Sequence, residues 1–139
     1  TPLQMAMVTS AIANQGIIYS PQLIDRVVSN NLELLSDPAP QVFGSPISQS
    51  TAGLITQMMF ESVEVGAAGN AKIPGMAVAG KTGTAENGIG QPFTYWFTGF
   101  APAENPELVV TVVVEGEDQS STGNSISAPI GRKLLESVR

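Results

Sequence analysis

Histidine and cysteine are both missing from this 139-residue chain. That excludes a thiol nucleophile, a Cys/His zinc site and a Ser-His-Asp relay within these residues, so any acyl chemistry here must take its proton-handling group from lysine. Charge is also scarce: 13% of the residues are Asp, Glu, Lys or Arg, about half of the roughly 25% of an average domain. So small a share of water-facing side chains points to a piece docked against further protein. Lys and Arg number six against twelve Asp and Glu, for a net charge of -6, and they form no basic run. A phosphate-backbone footprint is therefore not expected, and nucleic acid is excluded as a partner. No run approaches the ~18 apolar residues that span a bilayer, and Thr1-Pro2-Leu3-Gln4 has neither the charged nor the apolar region of a signal peptide. Repeats and low-complexity tracts are lacking too.

What is present is enough for one domain or a large piece of one, since 42% of the chain is hydrophobic. The start on a helix signal without methionine leads us to expect a longer parent that carries any targeting segment upstream. Thr1 is a helix cap, Pro2 a first helical residue and Gln4 completes a capping box. Leu3, Met5, Ala6, Met7, Val8, Ala11, Ile12 and Ala13 surround the axis, which predicts a helix buried on most sides and capped by Gly16. Short β-like runs follow at 17–19, 22–29 and 32–35, the last two joined as a hairpin through Ser29-Asn30-Asn31. Asp37-Pro38-Ala39-Pro40 is a linker. Ser48 caps a second helix to about Val63, with Ile47, Leu54, Ile55, Met58, Phe60 and Val63 available for burial. The segment Gly66 to Gly75 is a turn region or loop. Three strands are expected at 76–86, 94–101 and 108–115, an antiparallel meander, before a polar loop and a final helix from about Pro129 with an apolar stripe of Ile130, Leu134, Leu135 and Val138. The fold class is α+β: an antiparallel sheet, as three-strand meander plus hairpin, covered by helices.

The most informative residues are Lys81-Thr82-Gly83-Thr84 on the first strand of that meander. K-T-G is one of three active-site motifs of penicillin-recognising serine enzymes, whose nucleophile lies in S-x-x-K. The three lysines here, at 72, 81 and 133, have Gly69, Val78 and Ile130 three positions earlier, so no serine of this chain can be that nucleophile. A strand turns alternate side chains to opposite faces, which sets Thr82 and Thr84 together and Lys81 with Gly83. Gly83 lets an extended peptide approach the backbone, and an edge strand offers free N–H and C=O groups for pairing with it. Two hydroxyls beside a lysine suit a terminal carboxylate. Lys81 can lower the pKa of a nearby lysine or serine through its charge, or pass protons itself; the sequence leaves both roles open.

Further segments stand around this motif: Thr1-Pro2-Leu3-Gln4-Met5-Ala6 with Ala13-Asn14-Gln15-Gly16, the stretch from Gly75 to Glu86, Trp96-Phe97-Thr98-Gly99-Phe100-Ala101-Pro102, and Ala128-Pro129. By these, in this order, the chain resembles the transpeptidase family of penicillin-binding proteins over essentially its whole length. The resemblance implies the C-terminal segment, 1–139, of a class B D,D-transpeptidase domain whose S-x-x-K and S-x-N parts lie upstream. It implies a domain that cross-links peptidoglycan stem peptides, is acylated by β-lactam antibiotics, needs no cofactor or metal, and sits on the extracytoplasmic face of the bacterial membrane behind an N-terminal anchor. It assigns Lys81, Thr82 and Gly83 to K-T-G. It further implies that Thr84 supplies an oxyanion-hole N–H and that the Thr82 and Thr84 hydroxyls bind the carboxylate. A β-lactamase-related hydrolase and a non-catalytic β-lactam-binding sensor or structural module are the alternatives. Ser29-Asn30-Asn31 satisfies S-x-N formally but follows the first helix, so it is taken as a turn; Glu86 is taken as an exposed strand-end carboxylate, and Glu115 to Asp118 as a solvated loop. Of Trp96 and Phe97, adjacent on a strand, at least one belongs to the core.

Overall fold

The computed structural model describes residues 1–138. In chain order it contains α1 (Pro2–Ala13), four short strands β1 (Ile18–Tyr19), β2 (Val27–Val28), β3 (Leu34–Ser36) and β4 (Val42–Gly44), then α2 (Gln49–Glu64), β5 (Ala79–Ala85), β6 (Phe93–Ala101), β7 (Leu108–Gly116) and α3 (Gly123–Leu135). The central sheet is the expected antiparallel meander in the order β5-β6-β7, which leaves β5 on an edge. Cross-strand partners share a face. Lys81 with Thr98 and Gly83 with Trp96 therefore look toward α1, whereas Thr82 with Phe97 and Thr84 with Tyr95 look toward α3.

The first helix starts as its sequence demands: Gln4 N–H donates to the Thr1 hydroxyl at 3.3 Å, and the Gln4 side chain accepts from the Thr1 amine at 3.0 Å. Its end differs. Asn14 is the cap, Gln15 takes the left-handed conformation (φ 56°), and Gly16 N–H reaches back to Ala11 O at 2.7 Å. This is the paired hydrogen-bonding that closes many helices, placed one residue earlier than glycine suggested. Burial on most sides is not seen either. Thr9 and Ala11 are buried, but Leu3 and Val8 remain 58% and 51% exposed, because α1 packs against the central sheet, α2 and β1 and these two side chains stand outside that packing among the described residues.

The hairpin forms from β2 and β3, with Val27 opposite Ser36 and Val28 opposite Leu34. The strand at 42–44 is an addition: β4 returns after the proline linker to pair with β1, a non-local match that local pattern cannot show. In α2 the Ser48 hydroxyl accepts from Thr51 N–H at 3.1 Å, and Ala52, Met59 and Val63 form the buried face. Leu54 and Met58, expected inside, are exposed.

The last helix begins six residues before Pro129, where Thr122 and Ser125 cap each other reciprocally. Its buried face is made of small residues, Gly123, Ser127, Ala128 and Gly131, with Leu135; Ile130 and Leu134 are exposed, and the Val138 side chain lies outside the described residues. The reason is close approach. A Cβ on Gly131 would stand 2.2 Å from the Phe97 ring, and one on Gly123 would stand 2.5 Å from Gly83 O. The main core lies between α3 and the sheet, around Phe97, Val63, Val78, Val110, Val112 and Leu135. A second cluster of Met59, Ala79, Phe100 and Ala103 fills the space under α1 and α2.

Candidate active site

Val63 of α2 packs against Gly80, so the helix covers the beginning of β5 and leaves the edge from Lys81 onward open. Just before β5, Ala77 O already turns to the β6 side, accepting from Ala103 N–H beyond the end of β6 at 2.8 Å. In an antiparallel pair, successive residues turn their polar groups alternately toward and away from the neighbour. By that parity the main-chain groups of Lys81 and Gly83 serve the pairing with β6, and those of Thr82 and Thr84 face the open side. The Lys81 ammonium donates to the Thr82 carbonyl at 2.5 Å, which agrees with a carbonyl directed away from β6.

Beside this edge lies a groove of about 400 Å³ lined by Thr1, Met5, Lys81, Thr82, Gly83, Trp96 and Thr98. Its floor is the α1-facing side of β5 and β6, and its wall is the first turns of α1. A hydroxyl chain holds wall to floor. Thr9 donates to Met5 O at 2.9 Å and bonds Thr98 at 2.7 Å, and Thr98 bonds Thr111 of β7 at 2.8 Å. A larger cavity of about 660 Å³ opens between Lys72, Pro74, Arg132 and Lys133. There Lys72 is paired with Glu64, and Arg132 with Glu136 at 3.0 Å, and the K-T-G side chains do not line it.

The predicted residues thus fall together along one strand, with different hydrogen-bonding states. Lys81 and Gly83 line the groove directly. The Thr82 hydroxyl donates to Ala67 O at 3.1 Å, while the Thr84 hydroxyl accepts from Gly123 N–H at 3.1 Å. Trp96 enters the groove and Phe97, fully buried, enters the core, a division the alternation of a strand required. Glu86 sits one residue past β5 and is exposed. Ser29 turns its hydroxyl into the hairpin, accepting from Asn31 and Glu33 N–H at 3.3 and 3.1 Å. In the acidic loop, donation from Ser120 (2.6 Å) and then Ser121 (2.7 Å) holds the Asp118 carboxyl below the usual range. Tyr95 donates its phenol to Asp118 O, and burial, with the Asp118 charge, pushes that phenol up. Met5 and Thr98, named in the sequence only within a helix and a strand segment, were not expected at the site; the strand register and the docking of α1 bring them to the groove.

The penicillin binding protein transpeptidase domain family matches residues 1–136. The chain is 38% identical over 140 residues to the peptidoglycan D,D-transpeptidase PbpA of Mycolicibacterium smegmatis, covering 97% of this chain and 28% of that protein. It is 33% identical over 145 residues to the stage V sporulation protein D of Bacillus subtilis, covering 97% of this chain and 22% of that protein. Among solved structures, the ceftriaxone acyl-enzyme complex of penicillin-binding protein A from M. tuberculosis superposes with a TM-score of 0.89 at 35% identity, over 98% of this chain and 32% of that one. The chain therefore spans less than a third of the length of these relatives. With the motif on an open edge strand and a match that runs almost from end to end, the chain belongs to the penicillin-binding protein transpeptidase domain family.

Proposed function

We propose that residues 1–139 are the C-terminal segment of a serine D,D-transpeptidase domain, contributing the substrate-binding strand, while S-x-x-K and S-x-N come from upstream sequence. The observation that carries this reading is the open edge of β5, with Lys81 and Gly83 lining a groove and no nucleophilic serine of the right motif in the chain. In the complete domain a stem peptide or a β-lactam lies along β5 and pairs with the outward N–H and C=O groups of Thr82 and Thr84. The serine oxygen bonds the reacting carbonyl carbon, the amide C–N bond breaks, and the proton of the serine hydroxyl passes to the amine nitrogen; with a stem peptide that amine leaves with its terminal residue, and with a β-lactam it stays tethered to the acyl group. Thr84 N–H supports the oxyanion, one such donor being worth on the order of 10² to 10³ in rate. The hydroxyls of Thr82 and Thr84 receive the carboxylate, and Lys81 handles charge and protons beside the serine. No cofactor enters this scheme. The domain works on the extracytoplasmic side of the membrane, held by an upstream anchor.

Labelled penicillin tests this. The complete domain forms a lasting covalent adduct, and residues 1–139 alone form none. Labelling of the isolated chain would show that the nucleophile lies within it. Rapid release of the adduct by the complete domain would assign it to the hydrolases instead, and binding without transfer of a stem peptide would assign it to the sensors.

A further inference from the structure

The two hydroxyls of the K-T-G strand are tied to separate parts of the chain, and those parts are tied to each other. Thr82 donates to Ala67 O and Thr84 accepts from Gly123 N–H, each at 3.1 Å. Three residues after Ala67, Asn70 N–H donates to Asn124 Oδ1 at 3.0 Å; one residue after Gly123, Asn124 O accepts from Asn70 Nδ2 at 3.0 Å. The result is a closed circuit from Thr82 through the 67–70 loop, across the reciprocal asparagine pair, through the start of α3 and back to Thr84. Gly123 is buried and has no Cβ, which lets α3 begin directly over Gly83 and Trp96.

Proton bookkeeping gives this circuit a direction. A hydroxyl has one proton and two lone pairs. Gly123 N–H occupies a lone pair of Thr84, and among the described residues no acceptor takes the Thr84 proton. Thr84 is thereby set as a donor, the role a carboxylate requires. Thr82 has its proton engaged by Ala67 O and must exchange that bond before it can do the same.

We propose that Asn70 and Asn124 are positioning residues for carboxylate recognition: their two-legged pair fixes the 67–70 loop against the start of α3 and so holds the Thr84 hydroxyl on the α3 side of the open edge of β5, with its proton left to donate. Neither asparagine lines the groove. This rests on the function proposed above, in which Thr82 and Thr84 read a carboxylate.

The test uses the complete domain with its upstream serine and two probes, benzylpenicillin and its methyl ester, in which the carboxylate is masked. Acylation rate constants are measured for the parent, Asn124→Ala, Asn70→Ala and the double variant. Each single variant is expected to slow acylation by the acid on the order of tenfold, the scale of one hydrogen bond to a charged group, and to change acylation by the ester less than twofold. The double variant loses both legs where each single variant loses one, so it should be at least as slow with the acid as the slower single variant and still change acylation by the ester less than twofold. Equal losses on acid and ester would overturn the proposal in favour of a purely structural pair, as would an unchanged rate with the acid. Asn70→Ala keeps the main-chain leg, so it decides the matter if Asn124→Ala does not fold. A parent domain that neither probe acylates would sink the proposed function itself, and with it this inference. A parent that reacts with both probes equally would remove the carboxylate role of the two threonines.

Discussion

At the scale of single residues, the two roles proposed for Thr84 rest on different groups, its main-chain N–H and its hydroxyl. Its N–H faces the open edge by the parity of β5, and its hydroxyl faces α3, where Gly123 holds it. Thr84→Pro removes the N–H where no ladder bond is lost, a position at which an edge strand accepts proline. It is expected to slow penicillin acylation of the complete domain by about 10² to 10³. Thr84→Val keeps the N–H and loses the hydroxyl, and should fall by no more than about tenfold. Stopped-flow acylation of the pair checks this, and equal rates for parent and proline variant would show that the amide is no oxyanion donor. The K-T-G residues were legible in sequence because a strand motif fixes which side chains share a face. What Thr82 and Thr84 bond to was not, since Ala67 and Gly123 lie 15 and 39 residues away.

At the scale of elements, the approach of α3 to the sheet depends on small residues over Phe97. Gly131→Ala places a methyl against the ring at a distance no Cβ tolerates, so helix or ring must shift. Such overpacking is expected to cost about 1 to 3 kcal/mol, read by denaturant titration; a smaller loss would mean that Phe97 can turn aside without strain. The same residues explain why the final helix was misplaced in sequence. Periodicity finds a helix face by its large apolar side chains, and of the expected stripe Leu135 is buried but Ile130 and Leu134 mark the side away from the sheet, while the rest of the packed side is written in glycine, serine and alanine. The α2 helix repeats the lesson with Leu54 and Met58 exposed and Ala52 buried. Strands β5 to β7 were easier, because β-branched and aromatic runs bounded by proline loops leave little ambiguity.

At the scale of the whole molecule, apolar surface is left uncovered on several sides: Leu3 and Val8 of α1, Leu54 and Met58 of α2, and Leu34, Leu35 and Phe43 in the arm of short strands. The low charge content anticipated this, and the proposed upstream part of the domain is the expected cover. Stability should also respond to pH through the loop that closes on Tyr95. The Asp118 carboxyl is held low by Ser120 and Ser121, so the folded form binds its proton less readily than the unfolded one. That contribution is complete above the ordinary carboxylate value, about 4, and is lost as pH falls through the lowered one. The Tyr95 phenol is raised by burial and by Asp118; its contribution is complete below about 10 and is lost as pH rises through the raised value. Thermal unfolding of the parent against Asp118→Asn should show a constant difference near neutral pH that shrinks below about pH 4. A difference that grows there would contradict the assignment.

The sequence by itself determined the family resemblance and the strand that carries its motif. The absence of histidine and cysteine leaves lysine as the group on which the proposed acyl chemistry can draw within this chain, K-T-G marked the strand, and alternation, a local property of any β-strand, divided its side chains between two faces. Only the tertiary structure decided which side of each helix is packed, that β4 pairs back to β1, and which main-chain group each threonine hydroxyl bonds, because each of these depends on partners far along the chain whose approach is set by packing rather than by neighbouring residues.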